Sequence, residues 1–144
     1  MDAVYIIATP EEMGYLKPMI AERNGSQSGA MLYASFRSIS VADGTDYRLD
    51  MEGLQFSDTP VLANNNPGLK QLALNATGND YFLARVFAMG ADGWTLANHY
   101  APLRQTYGFT LKGKTGELSA SSGCVINSEL PWFRYQKGLV VSVE

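Results

Sequence analysis

Residues 3–8 (AVYIIA), 9–12 (TPEE) and 30–36 (AMLYASF) decide the fold. The first is a continuous apolar, β-branched run, the pattern of a strand buried on both faces. Thr9 then offers an N-cap, Pro10 suits the first helical position, and Glu12 closes a capping box. Met13, Leu16 and Ile20 fall on one face of the helix that follows. Pro18 interrupts it and removes the hydrogen bond to the Gly14 carbonyl, so a kink is expected there. A polar turn over 24–29 leads into the second buried strand. Strand, helix, strand at this spacing predicts a parallel, right-handed βαβ unit.

Outward from that unit, 38–50 has no clear period and reads as loop. Residues 53–57 (GLQFS) read as a short strand, ended by Asp58-Thr59-Pro60. Asn64-Asn65-Asn66 before Pro67 opens a helix whose buried face would carry Leu69, Leu72, Ala73 and Ala76. Asn79-Asp80 caps a longer helix over 81–99. Its apolar side would carry Leu83, Val86, Phe87, Trp94 and Ala97, and its polar side Arg85, Asp92 and His99. Gly90 and Gly93 each cost about 1 kcal/mol relative to Ala in a helix interior, which marks close packing against another element. From Phe109 onward the period changes. Short strands over 109–112, 116–120, 124–130, 133–136 and 140–143 are separated by turns at Gly113, Ser122-Gly123 and Lys137-Gly138. The fold class is therefore α/β: a parallel βαβ sheet with flanking helices and a C-terminal antiparallel meander.

The bulk numbers exclude several classes. The chain has 144 residues, 46% apolar and 17% charged, with net charge −3. Disorder does not fit that balance. The absence of a basic stripe argues against nucleic acid as a partner. No apolar run approaches the roughly 18 residues of a membrane span. The opening MDAVYIIATP places Asp2 where a signal peptide would carry positive charge, and it reads as a start inside a longer protein. Cys124 is the single cysteine. It has no Cys or His neighbour at metal-ligand spacing and is expected to be a buried structural residue.

The chemistry-bearing residues are sparse. His99, the single histidine, lies late in a helix with no G-x-S-x-G elbow to join, and reads as a helix-face or capping residue. Residues 108–115 (GFTLKGKT) match G-x-x-x-x-G-K-[ST] in full. A phosphate loop follows a buried strand and opens a helix; here the loop itself reads as strand and another strand follows. Glu11 and Glu12 suit the helix dipole. Asp43/Asp46 and Asp50/Glu52 read as solvated pairs. Asp92, within Gly90-Ala91-Asp92-Gly93-Trp94, reads either as a helix-surface residue paired with a base or as part of an interface. Trp132, Phe133 and Tyr135 alternate on a strand, so one face is core and the other a candidate contact patch, with Trp132 and Tyr135 typical of interface hot spots. No metal or cofactor site is readable.

Two stretches carry a resemblance over nearly the whole chain. One is DAVYIIATPEEMGYLKPMI with LYASFRS and YRLDMEGLQFSDTPVL. The other is NDYFLARVFAMGADGWTLANHY with GFTLKGKTGELSASSGCVINSELPWFRYQKGLVV. Together the chain resembles the C-terminal region of the LppC (LpoA) family. The resemblance implies part of a lipoprotein anchored to the outer membrane, facing the periplasm and anchored outside these residues. It implies activation of the transpeptidase work of penicillin-binding protein 1A, without catalysis or a cofactor. It also implies a two-lobed fold similar to type I periplasmic binding proteins. Residues 1–58 would be second-lobe βαβ, 59–115 hinge and first-lobe helices, and 116–144 a meander returning to the second lobe. The first-lobe helices would then pack on the second-lobe sheet, on another copy, or on a larger native chain.

Ligands of open parallel sheets bind beyond the strands' carboxyl ends, which makes Thr9, Ser35 and Arg37 candidate cleft contacts. Thr9 offers a hydroxyl at a helix N-terminus, and Arg37 could hold a carboxylate bidentately. The bland alternative is that Thr9 is only a cap and Arg37 an ordinary surface residue. A receptor for an amino acid or cell-wall fragment is the alternative function.

Overall fold

The computed structural model describes residues 3–24, 29–39, 44–63 and 66–143. Asp2, residues 25–28 of the expected polar turn, Asp43, and Asn64 and Asn65 lie outside the described residues. The chain divides into two compact units: Met1–Ser57 with Trp132–Glu144, and Asp58–Pro131.

The first unit holds β1 (Ala3–Ile6), α1 (Pro10–Asn24), β2 (Met31–Ser35), α2 (Thr45–Asp50), β3 (Gln55–Ser57), and, from the far end of the chain, β7 (Trp132–Gln136) and β8 (Leu139–Val143). They form one sheet in the order β1-β2-β3-β7-β8. The expected βαβ unit is present, with β1, β2 and β3 parallel. β7 and β8 continue the sheet antiparallel. Part of the expected loop is ordered: Phe36–Ser38 is a 3-10 turn and Thr45–Asp50 is helical.

One face of this sheet carries the core. Phe56 lies 5.9 Å from Phe133 and 5.0 Å from Tyr135, ring centre to ring centre. Tyr47 of α2 meets Tyr135 edge-on at 6.3 Å. Ser38, fully buried, donates its hydroxyl to the Ala8 carbonyl at 2.8 Å, and Tyr47 donates to the Ser38 carbonyl at 2.8 Å. Alternation puts Tyr5, Met31 and Trp132 on the opposite face, and Tyr5 and Met31 are exposed. Burial of β1 and β2 on both faces, the sequence expectation, therefore does not occur among the described residues.

α1 runs through Pro18 and buries Met13, as its spacing predicts. Lys17 lies on the same helix and donates to the carbonyls of Asp50 and, at 3.0 Å, Glu52. It therefore satisfies carbonyls at the end of α2, where such groups lack helical partners. Desolvation holds its pKa below the usual lysine value, with Glu52 and Asp50 acting the other way. The β7–β8 hairpin turns on Lys137 and Gly138, both at positive φ (53° and 72°). A two-residue loop of that hand matches strand twist, which is why Gly follows.

The second unit holds α3 (Pro67–Ala76), α4 (Tyr81–Gln105) and an antiparallel sheet of β4 (Thr110–Lys112), β5 (Glu117–Ser121) and β6 (Val125–Glu129). The Asn66 and Asp80 side chains accept from Leu69 N–H and Leu83 N–H, each at 3.0 Å, as N-caps. All five strands expected after residue 109 occur, but in two sheets. β5 pairs with both β4 and β6, and the chain rejoins the five-stranded sheet at Trp132 rather than at 116. Pro131, which has no N–H to give a ladder, separates β6 from β7.

Both helices bury only part of the face the sequence expects: Leu69 and Ala73 of α3 and Phe87 of α4 lie in or against the core, and the other expected residues do not. α3 buries Ala73 and Leu74 while Leu72 is exposed. α4 buries Ala84, Ala88, Asp92 and Leu103, of which Ala84 and Ala88 pack with Val61, Leu62 and α3. Its supposed apolar side is largely outside: Leu83, Val86 and Trp94 are exposed. The reason is that its charges are satisfied internally. Arg85 binds Asp58 through both carboxylate oxygens, at 2.9 and 2.8 Å, and small alanines let this face approach its neighbours.

Candidate functional site

The carboxyl ends of β1 and β2 form a cavity of about 310 Å³, lined by Ile7, Ala8, Thr9, Glu12 and Arg37. Thr9 and Arg37, singled out from the sequence, are brought together. Ser35 is not in the lining; its hydroxyl oxygen accepts from Arg37 N–H at 3.3 Å and so shapes the turn that carries Arg37. Thr9 N–H donates to Glu12 Oε2 at 2.8 Å, and Glu12 N–H donates to Thr9 Oγ1 at 3.3 Å. This is the predicted reciprocal capping box. Glu12, marked in the sequence by its capping role, lines the same cavity as Arg37.

A second polar cluster is structural. Asp92, 3% exposed, accepts from Lys114 N–H at 2.6 Å, Thr115 N–H at 2.7 Å and the Thr115 hydroxyl at 2.5 Å. The turn between β4 and β5 thus wraps the protein's own carboxylate, clasping the small sheet to α4. A Cβ on Gly113 would lie 2.6 Å from Asp92 Oδ2, so only glycine allows the approach. The phosphate-loop look-alike at 108–115 is explained: its Lys114 and Thr115 N–H groups are spent on Asp92 and its Gly113 N–H on the Gly116 carbonyl, between two strands. The sequence reading found Asp92 interesting but placed it at a surface, because its acceptor role depends on a turn 22 residues away. The Asp58–Arg85 pair was missed, since nothing local marks Asp58 as a partner across 27 residues.

Of the candidate contact residues, Asp92 and Tyr135 are buried, at 3% and 1% exposure, and present no surface. Trp132 is 36% exposed and meets Tyr33 edge-on at 5.5 Å. His99 is exposed on α4, its Nδ1 2.9 Å from the Thr95 carbonyl. Cys124, expected to be buried, is exposed at the β5–β6 turn with φ 62°. It lines a cavity of about 580 Å³ with Arg104 and Tyr107, which no sequence motif marks.

A mostly parallel βαβ sheet, extended by strands from the chain's far end and interrupted by a second unit, defines a periplasmic-binding-protein-like α/β fold. The same fold is found, at 18% identity and TM-score 0.59, in a putative branched-chain amino acid ABC transporter from Chromobacterium violaceum. Within that class, the chain belongs to the LppC putative lipoprotein family, whose sequence model matches residues 1–138.

Relatives named penicillin-binding protein activator LpoA are 59% identical in Klebsiella pneumoniae, over 98% of this chain, and 58% identical in Escherichia coli K12, over 99%. The chain spans about one fifth of the length of these curated relatives, 20% and 21%. Full-length LpoA from Haemophilus influenzae matches with TM-score 0.83 at 38% identity, over 98% of this chain and 26% of that one. The LpoA C-domain from the same organism, described as a regulator of PBP1A, matches with TM-score 0.82 at 37% identity, over 100% of this chain and 45% of that one.

Proposed function

We propose that this chain is part of a non-catalytic activator of peptidoglycan synthesis. It acts by protein contact on penicillin-binding protein 1A and raises its transpeptidase activity. The observation that carries this reading is near-complete coverage at 58–59% identity by relatives named as penicillin-binding protein activators. The site of action would be the periplasmic face of the outer membrane, with a lipid anchor outside these residues. The two units would be parts of two lobes. The buried carboxylates support a non-catalytic role, because each is engaged structurally: Asp58 by Arg85, Asp92 by the 113–116 turn. Activation by contact requires that the chain bind the synthase's active arrangement more tightly than its inactive one. Trp132, half-exposed and aromatic, is the contact residue put forward.

The test is surface plasmon resonance of the folded chain against penicillin-binding protein 1A, with transpeptidase assayed in parallel. Binding with stimulation is expected, and Trp132→Ala should weaken it about tenfold, the loss of a modest hot spot. A folded chain that neither binds nor stimulates refutes the reading for these residues.

A second reading, a small-molecule module, is favoured by Arg37 and Glu12 lining one cavity of about 310 Å³. Free amino acids should then raise the unfolding temperature. Arg37→Ala should abolish that rise, and an unchanged rise would remove Arg37 from the site.

A further inference from the structure

Residues 104–108 (RQTYG) close α4, and 119–124 (SASSGC) form the end of β5 and its turn into β6. Together they line a cavity of about 580 Å³, within the size range of small-ligand sites. It lies at the end of the small sheet away from the Asp92 clasp, because the β4–β5 and β5–β6 turns are at opposite ends of β5. Its lining holds one charged side chain, Arg104, and no carboxylate, in a chain of net charge −3. The Arg104 guanidinium stands 5.6 Å from the centre of the Tyr100 ring and makes no ion pair among the described residues. Thr110 and Ser119 lie opposite each other in the β4–β5 register. Their hydroxyls, with those of Thr106 and Ser122, have no protein partner among the described residues. The Tyr107 ring is fully exposed.

These groups narrow the ligand. An arginine with no carboxylate beside it is a bidentate partner for one. A bare anion is a poor occupant, because the last carbonyls of α4 lack helical partners and carry the negative end of its dipole. Those carbonyls call for hydroxyl or amide donors. The Thr and Ser hydroxyls both donate and accept. A free tyrosine ring offers an apolar platform with a polar tip. A molecule with one carboxylate, several hydroxyls or amides, and an apolar C–H face meets each of these demands. We infer that this cavity binds a carboxylate-bearing amino sugar, with Arg104 on the carboxylate, Tyr107 against the sugar ring and the Thr110–Ser119 pair on its hydroxyls. The choice of an amino sugar among saccharide acids rests on the function proposed above, since peptidoglycan is built of amino sugars, one of which carries a carboxylate. The chemistry of the cavity does not rest on it. No residue is shared with the cavity at Thr9 and Arg37.

Cys124 lines the same cavity, is exposed and is the single cysteine, so its alkylation reports occupancy. The chain is treated with iodoacetamide alone and with N-acetylmuramic acid, N-acetylglucosamine or lactate at matched ionic strength. N-acetylmuramic acid should slow alkylation saturably, by about tenfold at ten times its dissociation constant. N-acetylglucosamine lacks the carboxylate and should need an about tenfold higher concentration for the same effect. Arg104→Gln should erase that difference between the sugars, and Arg104→Lys should restore part of it. Tyr107→Ala should weaken both sugars alike. Both positions are exposed, so these variants should unfold as the parent does. No slowing by N-acetylmuramic acid in the millimolar range overturns the inference. Lactate as effective as N-acetylmuramic acid overturns it in favour of an anion site only. Equal slowing by the two sugars, or an unchanged preference in Arg104→Gln, removes the role of Arg104 and overturns it as well. The readout does not involve the synthase. A chain that binds the sugar without binding the synthase refutes the proposed function and keeps the site, whereas a chain that activates without binding the sugar refutes the site alone.

Discussion

Replacing Asp92 by Ala should detach the small sheet from α4. The carboxylate accepts three hydrogen bonds, from Lys114 N–H, Thr115 N–H and the Thr115 hydroxyl. Bonds to an ionised acceptor contribute roughly 1.5–3 kcal/mol each, and donors left unpaired in the interior cost more than donors that reach water. Lys114 is exposed and Thr115 half-buried, so water recovers part of the loss. The net effect is about 3 kcal/mol for Asp92→Ala, in the range for removing one member of a buried charged network. Asp92→Asn keeps the shape but loses the charge and points an NH2 at donors, and should cost about 2 kcal/mol. Thr115→Val removes one bond and should cost about 1 kcal/mol. Urea unfolding gives the totals. Amide hydrogen exchange gives the location, since Lys114 and Thr115 should lose protection first while the β1–β2 amides keep theirs. An Asp92→Ala chain within about 0.5 kcal/mol of the parent, the range of an ordinary surface change, would refute the clasp.

Two further outcomes follow from other buried charges. Arg85→Met should destabilise the second unit by about 3 kcal/mol, because it leaves Asp58 buried without its bidentate partner; Asp58→Asn in the same chain should recover part of that in a thermal melt, and no recovery would mean Arg85 acts by packing alone. Lys17 has a folded-state pKa below the ordinary 10.5, so between the two values the unfolded chain binds more protons and stability rises with pH. Lys17→Met should flatten that rise between the lowered value and 10.5 in urea midpoints taken from pH 8 upward, and parallel curves for the two chains would show that the burial of Lys17 is not felt.

Much of the fold was legible because its signals are local. Capping at Thr9, Asn66 and Asp80 reads directly from the sequence, since an N-cap bonds a residue two or three positions on. The parallel β1–α1–β2 unit follows from run lengths and spacing. The division of the late strands between two sheets was not legible, because hairpin turns look alike whether the next strand continues one sheet or leaves it. Of the three residues the sequence singles out, Thr9 and Arg37 line one cavity and Ser35 does not. Glu12 was hidden behind its capping role, which accounts for its carboxylate without reference to any cavity.

The rotated orientation of α4 has a more instructive cause. Periodicity ranks helix faces by hydrophobicity and assigns the richer one to the core. In α4 the face that packs on Val61, Leu62 and α3 centres on Ala84 and Ala88, with Tyr81 and Phe87 against it, and the helix's buried charges, Arg85 and Asp92, have their partners in distant loops. The pattern was correct in finding two faces and wrong only in which neighbour each would meet. Phe87 of the expected apolar side still packs against that core, so the helix is rotated by part of a turn and not inverted: small alanines flanked by paired charges pack as closely as a larger apolar stripe would, and hydrophobicity alone does not rank them.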